Sequence, residues 1–158
     1  MSTYEEIEAE LVRRTREIVW ASAATIDRQN RTRIRVLHPV WEGRIAWVFT
    51  NRHGLVSKHL AAHPYLSLSY VNGPIDEGTE QVYVDCRTEW VDDRAEKQRL
   101  WDYFKAAPHQ AGYDPATNFH HVDHPKFGVL KCTPWRIEVG SLTQSGGWQQ
   151  QIWHADDA

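Results

Sequence analysis

Apolar residues recur along this chain in two rhythms, and the change from one to the other marks out its elements. Ile7, Leu11, Ile18 and Val19 fall at spacings of three and four, with Thr15 filling one step. That is the period of a helix lying on a sheet. The predicted helix runs from residue 3 to about 20. Ser2 or Thr3 can cap it, acidic residues fill its first turns, and Arg13, Arg14 and Arg16 come later, where cations suit the helix end. From Ala21 the period drops to two, and strands are predicted over Ala21 to Ile26, Thr32 to Val40 and Arg44 to Thr50. In the last of these, Ile45, Trp47 and Phe49 share one face, and Ala46, Val48 and Thr50 the other. Trp41-Glu42-Gly43 reads as a tight connection, with Gly43 suited to positive φ.

A short helix follows over Leu55 to Ala62, closed by His63-Pro64 because proline cannot continue the hydrogen-bond ladder. Tyr65 to Val71 and the long segment Thr79 to Val91 alternate again as strands. Asp92-Asp93 caps a helix running to about Phe104. Residues 106 to 125 read as a long loop with at most a helical turn. A last strand spans about Phe127 to Leu142, with Pro134 signalling a bulge or an edge. Six strands with short connections and only short helices predict a predominantly β fold, a small antiparallel barrel. One domain is expected over 1–142. A polar tail over 143–158 carries Trp148 and Trp153, and it is expected to pack on a partner subunit, with an ordered arm on its own chain or plain disorder as the alternatives.

Length and composition fit that picture. A chain of 158 residues makes one domain and can bury about two thirds of its extended surface. The net charge of −3 speaks against a broad basic surface for nucleic acid. No apolar run approaches the roughly 20 residues that span a bilayer. The polar, acidic start does not resemble a secretory signal, so a cytoplasmic protein is expected. Cys86 and Cys132 sit in predicted strands and read as buried or half-buried free thiols, with metal ligation or a disulfide as the alternatives.

The chemistry concentrates in one stretch. Arg31, Arg33 and Arg35 alternate with Thr32, Ile34 and Val36, so all three arginines share a strand face. Thr50 ends the neighbouring strand, and Ser57 and Lys58 lie near a helix start. Together they would suit a phosphate: a planar guanidinium fork, a point charge, hydroxyl donors and helix-entry amides. The alternative is a solvated basic edge strand with an ordinary surface lysine. No G-x-G-x-x-G, phosphate loop or G-x-S-x-G elbow is present.

The segments Arg35-Val36-Leu37-His38-Pro39-Val40-Trp41, Trp47-Val48-Phe49-Thr50-Asn51, Ser57-Lys58-His59-Leu60 and His63-Pro64 resemble the pyridoxamine 5'-phosphate oxidase-like family. The similarity covers roughly residues 15 to 142 and includes Thr79 to Trp101. It implies a six-stranded antiparallel split β-barrel of the FMN-binding kind, a homodimer with cofactor in the cleft between subunits, and a flavin-dependent oxidoreductase acting on a small organic substrate. Carried over, Arg35 and Lys58 contact the phosphate, with Thr50 and Ser57 assisting and Arg33 as a second phosphate residue. The backbone of Val36, Leu37, His38, Pro39 and Val40, with Phe49 behind it, borders the isoalloxazine ring. Trp101, Trp135 or Arg136 supplies contacts from the partner subunit. The family's vitamin B6 oxidase carries W…R-x-H in its C-terminal arm. Here Ile137 and Glu138 follow Arg136, so the resemblance does not extend to that substrate. FMN is the expected cofactor. The alternatives are the deazaflavin F420, whose acidic tail would want Arg31, Arg33, Arg52 and Arg136, and a non-catalytic flavin carrier or sensor.

Two other clusters are weaker. His120, His121, Asp123 and His124 contain metal-ligating types without a known spacing, and with His109 they read as loop residues. Asp85 and Glu89 share a strand face, while Asp92 and Asp93 suit helix capping, so no paired-carboxylate site is expected.

Overall fold

The computed structural model describes residues 1–73, 78–107, 111–143 and 147–155. His109 lies outside them. In chain order the elements are α1 (Tyr4–Ile18), β1 (Ala21–Ile26), β2 (Thr32–Leu37), β3 (Val40–Glu42), β4 (Ile45–Asn51), α2 (Leu55–Leu60), β5 (Tyr65–Asn72), β6 (Thr79–Val91), α3 (Arg94–Ala106), α4 (Ala116–Phe119), β7 (Phe127–Thr143) and β8 (Gly147–His154).

Local chemistry explains the boundaries. Thr3 caps α1 in a reciprocal box: the Glu6 amide donates to Thr3 Oγ1, and the Thr3 amide donates to the Glu6 carboxylate at 2.9 Å. Asp93 caps α3 by accepting the Glu96 amide at 2.7 Å. Gly43 takes φ +56 at the first central position of the two-residue turn joining β3 to β4.

The strands form one antiparallel sheet in the order β2-β1-β5-β6-β7-β4-β3, with β8 also paired to β7. This corrects the expected six-stranded antiparallel split β-barrel: the described residues form eight strands, and the sheet is open, in a mixed α and β fold. The two extra strands have identifiable origins. Pro39 has no N–H to pair and ends β2 at Leu37, so the single strand read from Thr32 to Val40 divides into β2 and β3. Residues of the expected tail form β8, with Arg136 opposite His154 and Leu142 opposite Trp148. Among the described residues no ladder joins β2 to β3, the two ends of the path. The inner face is closed by a helix instead. Ile7 and Leu11 of α1 are fully buried in one core with Leu66, Leu68, Tyr70, Val82, Val84 and Ile137 of the sheet.

Arg14 fixes α1 there. It is only 6% exposed. Its guanidinium donates to the carbonyls of Gln81 and Gly140, to Ser141 Oγ at 3.0 Å and to Glu10 at 2.9 Å. A second core lies behind β4, where Trp47 and Phe49 meet Leu100, Trp101 and Phe104 of α3. Ala46 and Val48 of the same strand belong to the first core, so β4 is apolar on both faces. Cys86 and Cys132 are free, buried thiols, raised by burial. Pro134 marks a bulge: Cys86 pairs with Pro134 and Asp85 with Arg136, leaving Trp135 without a partner on β6. No helix is long and apolar enough to cross a membrane among the described residues.

Candidate functional site

The register of β1 against β2 sets which way the arginines face. Arg33 lies opposite Thr25, and Arg35 opposite Ala23. Thr25 and Ala23 are buried, so Arg33 and Arg35 share the inner face, toward α2. His59 of α2 is 7% exposed, and its Nδ1 shares a hydrogen bond of 2.9 Å with Thr25 Oγ1. A cavity of about 400 Å³ opens here, lined by Asp27, Arg31, Arg33, Lys58 and His59 among others.

Its lining cations outnumber its single carboxylate, and that carboxylate is saturated. Asp27 is buried and accepts from the amides of Gln29 (2.9 Å) and Arg31 (3.0 Å) and from Nε of Arg31 (3.0 Å) and Arg33 (3.2 Å). Burial pushes the Asp27 carboxyl up, but these hydrogen bonds outweigh it and hold the group well below the usual carboxylate range. The His59 imidazole is held low, first by burial and then by the charge of Arg35. Arg35 itself has a buried Nη1 with no hydrogen-bond partner among the described residues. A buried donor of this kind is costly unless something accepts from it.

The Asp27 network makes a testable claim about acid stability. Its folded pKa lies below the unfolded value near 3.8, so its contribution is present above that value and lost as pH falls through the folded one. Asp27→Asn is expected to lower stability at neutral pH, with the difference shrinking in strong acid. Acid-unfolding curves followed by circular dichroism measure this, and curves that stay parallel to the lowest pH would refute it.

The other expected site residues divide. Thr50 stands opposite Gly128 at the end of β4, and the Ser57 hydroxyl donates to the Asn51 carbonyl at 3.0 Å. Neither lines the basic cavity. Val36 projects from the outer sheet face, 62% exposed, while Val40 is buried in β3. Pro39 lies between these strands. Trp101 is buried under α3 against Phe127, with centroids 5.1 Å apart, and serves as a core residue. Arg136 is engaged by Asp85 at 3.5 Å and by Glu138. Trp135 has a buried Nε1 without a partner among the described residues and lines a separate cavity of about 810 Å³ with Tyr65, Arg87 and Lys131. In the histidine cluster, Asp123 is held by Arg94 at 2.8 and 3.0 Å, and His124 Nδ1 accepts the Lys126 amide. No group of three His, Cys, Asp or Glu among the described residues has the geometry to hold a metal.

Leu37, His38 and Phe49 line a cavity of about 520 Å³ together with Trp20 and Tyr113. His38 packs between Trp20 (centroids 5.0 Å) and Tyr113 (4.9 Å) with its ring tilted to both, and its Nε2 donates to the Ala111 carbonyl at 3.1 Å. Burial lowers the His38 pKa. Two strained turns flank this cavity. Val19 takes φ 62, with the Trp20 amide donating to the Ile18 carbonyl, and His120 takes φ 65, with the His121 amide donating to the Phe119 carbonyl. Both are γ-turns of the rare positive-φ form. Such strain gathers where the surrounding structure holds a residue for a purpose. Sequence pattern missed Trp20, Asp27, His59 and Tyr113. Asp27 alone left a sign, a carboxylate just ahead of the basic strand.

The comparisons agree with this architecture. A family model described as "Pyridoxamine 5'-phosphate oxidase" matches residues 7–139. No curated protein matches the chain. Among solved structures, a Clostridium acetobutylicum protein related to general stress protein 26 of the pyridoxinephosphate oxidase family superposes with TM-score 0.72 at 14% identity, covering 97% of each chain. A NimC/NimA family protein from the same organism gives TM-score 0.65 at 16% identity, covering 95% of this chain and 94% of that one. HutZ, a heme storage protein from Vibrio cholerae, gives TM-score 0.63 at 13% identity over 94% of each.

Proposed function

The chain belongs to the pyridoxamine 5'-phosphate oxidase family, and from that premise we propose that it binds FMN at the corner between β2 and α2 and acts as an oxidoreductase on a small organic molecule. The observation that carries the reading is the Nη1 of Arg35, buried and without a hydrogen-bond partner among the described residues, on the same strand face as Arg33, which with Lys58 lines a cavity. A phosphate supplies the acceptors this donor lacks, and a guanidinium fork with a nearby ammonium matches its charge and shape. Arg33, Arg35 and Lys58 would hold the phosphate, with the Val36–Val40 backbone beside the ring; Thr50 and Ser57, which do not line the cavity, have no part in it. Asp27 keeps Arg31 and Arg33 in place without cancelling the charge of Arg35 or Lys58. When bound, the flavin supplies hydride or electron transfer, and the protein binds and orients.

FMN is favoured over F420 because the cations a long acidic tail would need are engaged elsewhere. Arg52 stacks on Trp90 at 4.3 Å and pairs with Asp92, and Arg136 pairs with Asp85 and Glu138. A homodimer is part of the proposal. Ile26, Ile34, Val36, Tyr65 and Val71 are all exposed, and register puts them on the same outer face of β2, β1 and β5. An apolar strip of this kind is normally covered.

Titration with FMN, riboflavin and hemin tests the reading. FMN is expected to bind at micromolar concentration and riboflavin roughly tenfold or more weakly, since it lacks the phosphate. Equal affinity for FMN and riboflavin, or tighter binding of hemin, would overturn the phosphate assignment. Bleaching and return of flavin absorbance with a reductant and an organic acceptor separates an enzyme from a carrier.

A further inference from the structure

The cavity beside Trp20 differs in chemistry from the basic corner. Its walls carry the rings of Trp20, His38, Phe49 and Tyr113, and among the described residues none that lines it bears a fixed charge. The polar groups present are those of Thr117, Asn118, the Tyr113 hydroxyl and the His38 ring. Burial lowers the His38 pKa and raises that of Tyr113, which favours the neutral form of each. At about 520 Å³ it falls in the range of small-molecule sites. Trp20 is 60% exposed yet packs its ring on His38 at 5.0 Å, giving a continuous aromatic wall from solvent inward to Tyr113.

We infer that this cavity binds an uncharged planar aromatic molecule, with Trp20 as its outer platform, and that this molecule is the substrate. The substrate role rests on the flavin reading above; the binding site does not. Aromatic walls reward a flat ring by offset or edge-to-face contact. The lack of any lining cation disfavours an anion, whose charge would be desolvated without a partner. The same lack argues against the cavity holding the flavin ring, because reduced flavin gathers negative charge and is served by donors or cations near it. Leu37 and His38 line the cavity and also belong to the stretch assigned to the ring, so the two ligands would meet along the end of β2.

The test uses 2-naphthol, neutral at neutral pH, and its anionic counterpart 2-naphthoate as probes, titrated calorimetrically into the full chain. 2-Naphthol is expected to bind, and 2-naphthoate about tenfold or more weakly. Trp20→Ala is expected to weaken 2-naphthol about tenfold and Trp20→Phe by much less, while FMN affinity stays unchanged. The side chain is largely exposed, and thermal melting verifies that the variants fold. Equal binding of the two probes, or full affinity in Trp20→Ala, would overturn the site. Loss of FMN and riboflavin affinity in Trp20→Ala to the same degree as 2-naphthol would mean the cavity holds the flavin ring, and the substrate assignment fails. Binding of 2-naphthol by a protein that binds no FMN would leave the site standing and sink only the flavin reading.

Discussion

Replacing Arg35 with methionine is expected to move two properties in opposite directions. FMN affinity should fall roughly ten- to hundredfold, the worth of a hydrogen bond to a charged group at about 1.5–3 kcal/mol. Riboflavin affinity should change little. The protein without cofactor should become more stable, by about 1 kcal/mol, because the substitution removes a buried donor that nothing accepts from and keeps an apolar stem of similar length. A purely structural arginine behaves otherwise: its loss destabilises the fold and weakens both flavins together. The His59 imidazole offers an independent readout. Arg35 helps to hold its pKa down, so the variant's His59 should titrate at higher pH, which NMR resolves. An unmoved His59 with equal losses for FMN and riboflavin would place Arg35 outside the phosphate site.

The second large effect concerns stability. Arg14→Ala is expected to cost about 3 kcal/mol or more, read by urea denaturation, and to lower Tm by about 10 °C for a chain of this length. The reason is what remains behind. The carbonyls of Gln81 and Gly140 lose their buried donor, and Glu10 loses one of its two arginine partners. Arg13 is the control on the same helix. It meets Glu10, Glu17 and Glu80, but in a solvent-exposed network, and Arg13→Ala should cost under about 1 kcal/mol. Similar losses for the two variants would show that α1 is held by its apolar stripe alone.

These two arginines also show how far sequence could be read. Arg14 looked like one of several cations late in a helix. Only the register that carries Gly140 and Ser141 past Gln81 turns it into a buried clamp. The arginines of β2 were legible as one face because alternation needs no partner strand. That Asp27 takes up Arg31 and Arg33 while Arg35 is left with an unmatched donor depends on a turn that propensity cannot fold. The helices, the long β6 and the bulge near Pro134 followed from local rules of capping, period and missing N–H. Strand number and closure did not. Pro39 broke what alternation joined, and a polar, tryptophan-bearing tail acquired its strand character from lying along β7. Tyr113 and Trp20 were invisible because neither belongs to a periodic run; tertiary packing alone brings them to His38.

The antiparallel pairing of β4 with β7 has a consequence for synthesis. Ala46 is opposite Cys132 and Asn51 opposite Phe127, so one edge of β4 waits for a segment made much later. The β3–β4 hairpin can close as soon as it leaves the ribosome, yet both its faces are greasy and its open backbone edge has nothing to bond. Contacts this distant in sequence are slow to form and leave nascent chains prone to sticking. The length of that vulnerable interval is set by the translation time of the residues between the two strands, which makes Ile45 to Phe49 the stretch a chaperone would find first.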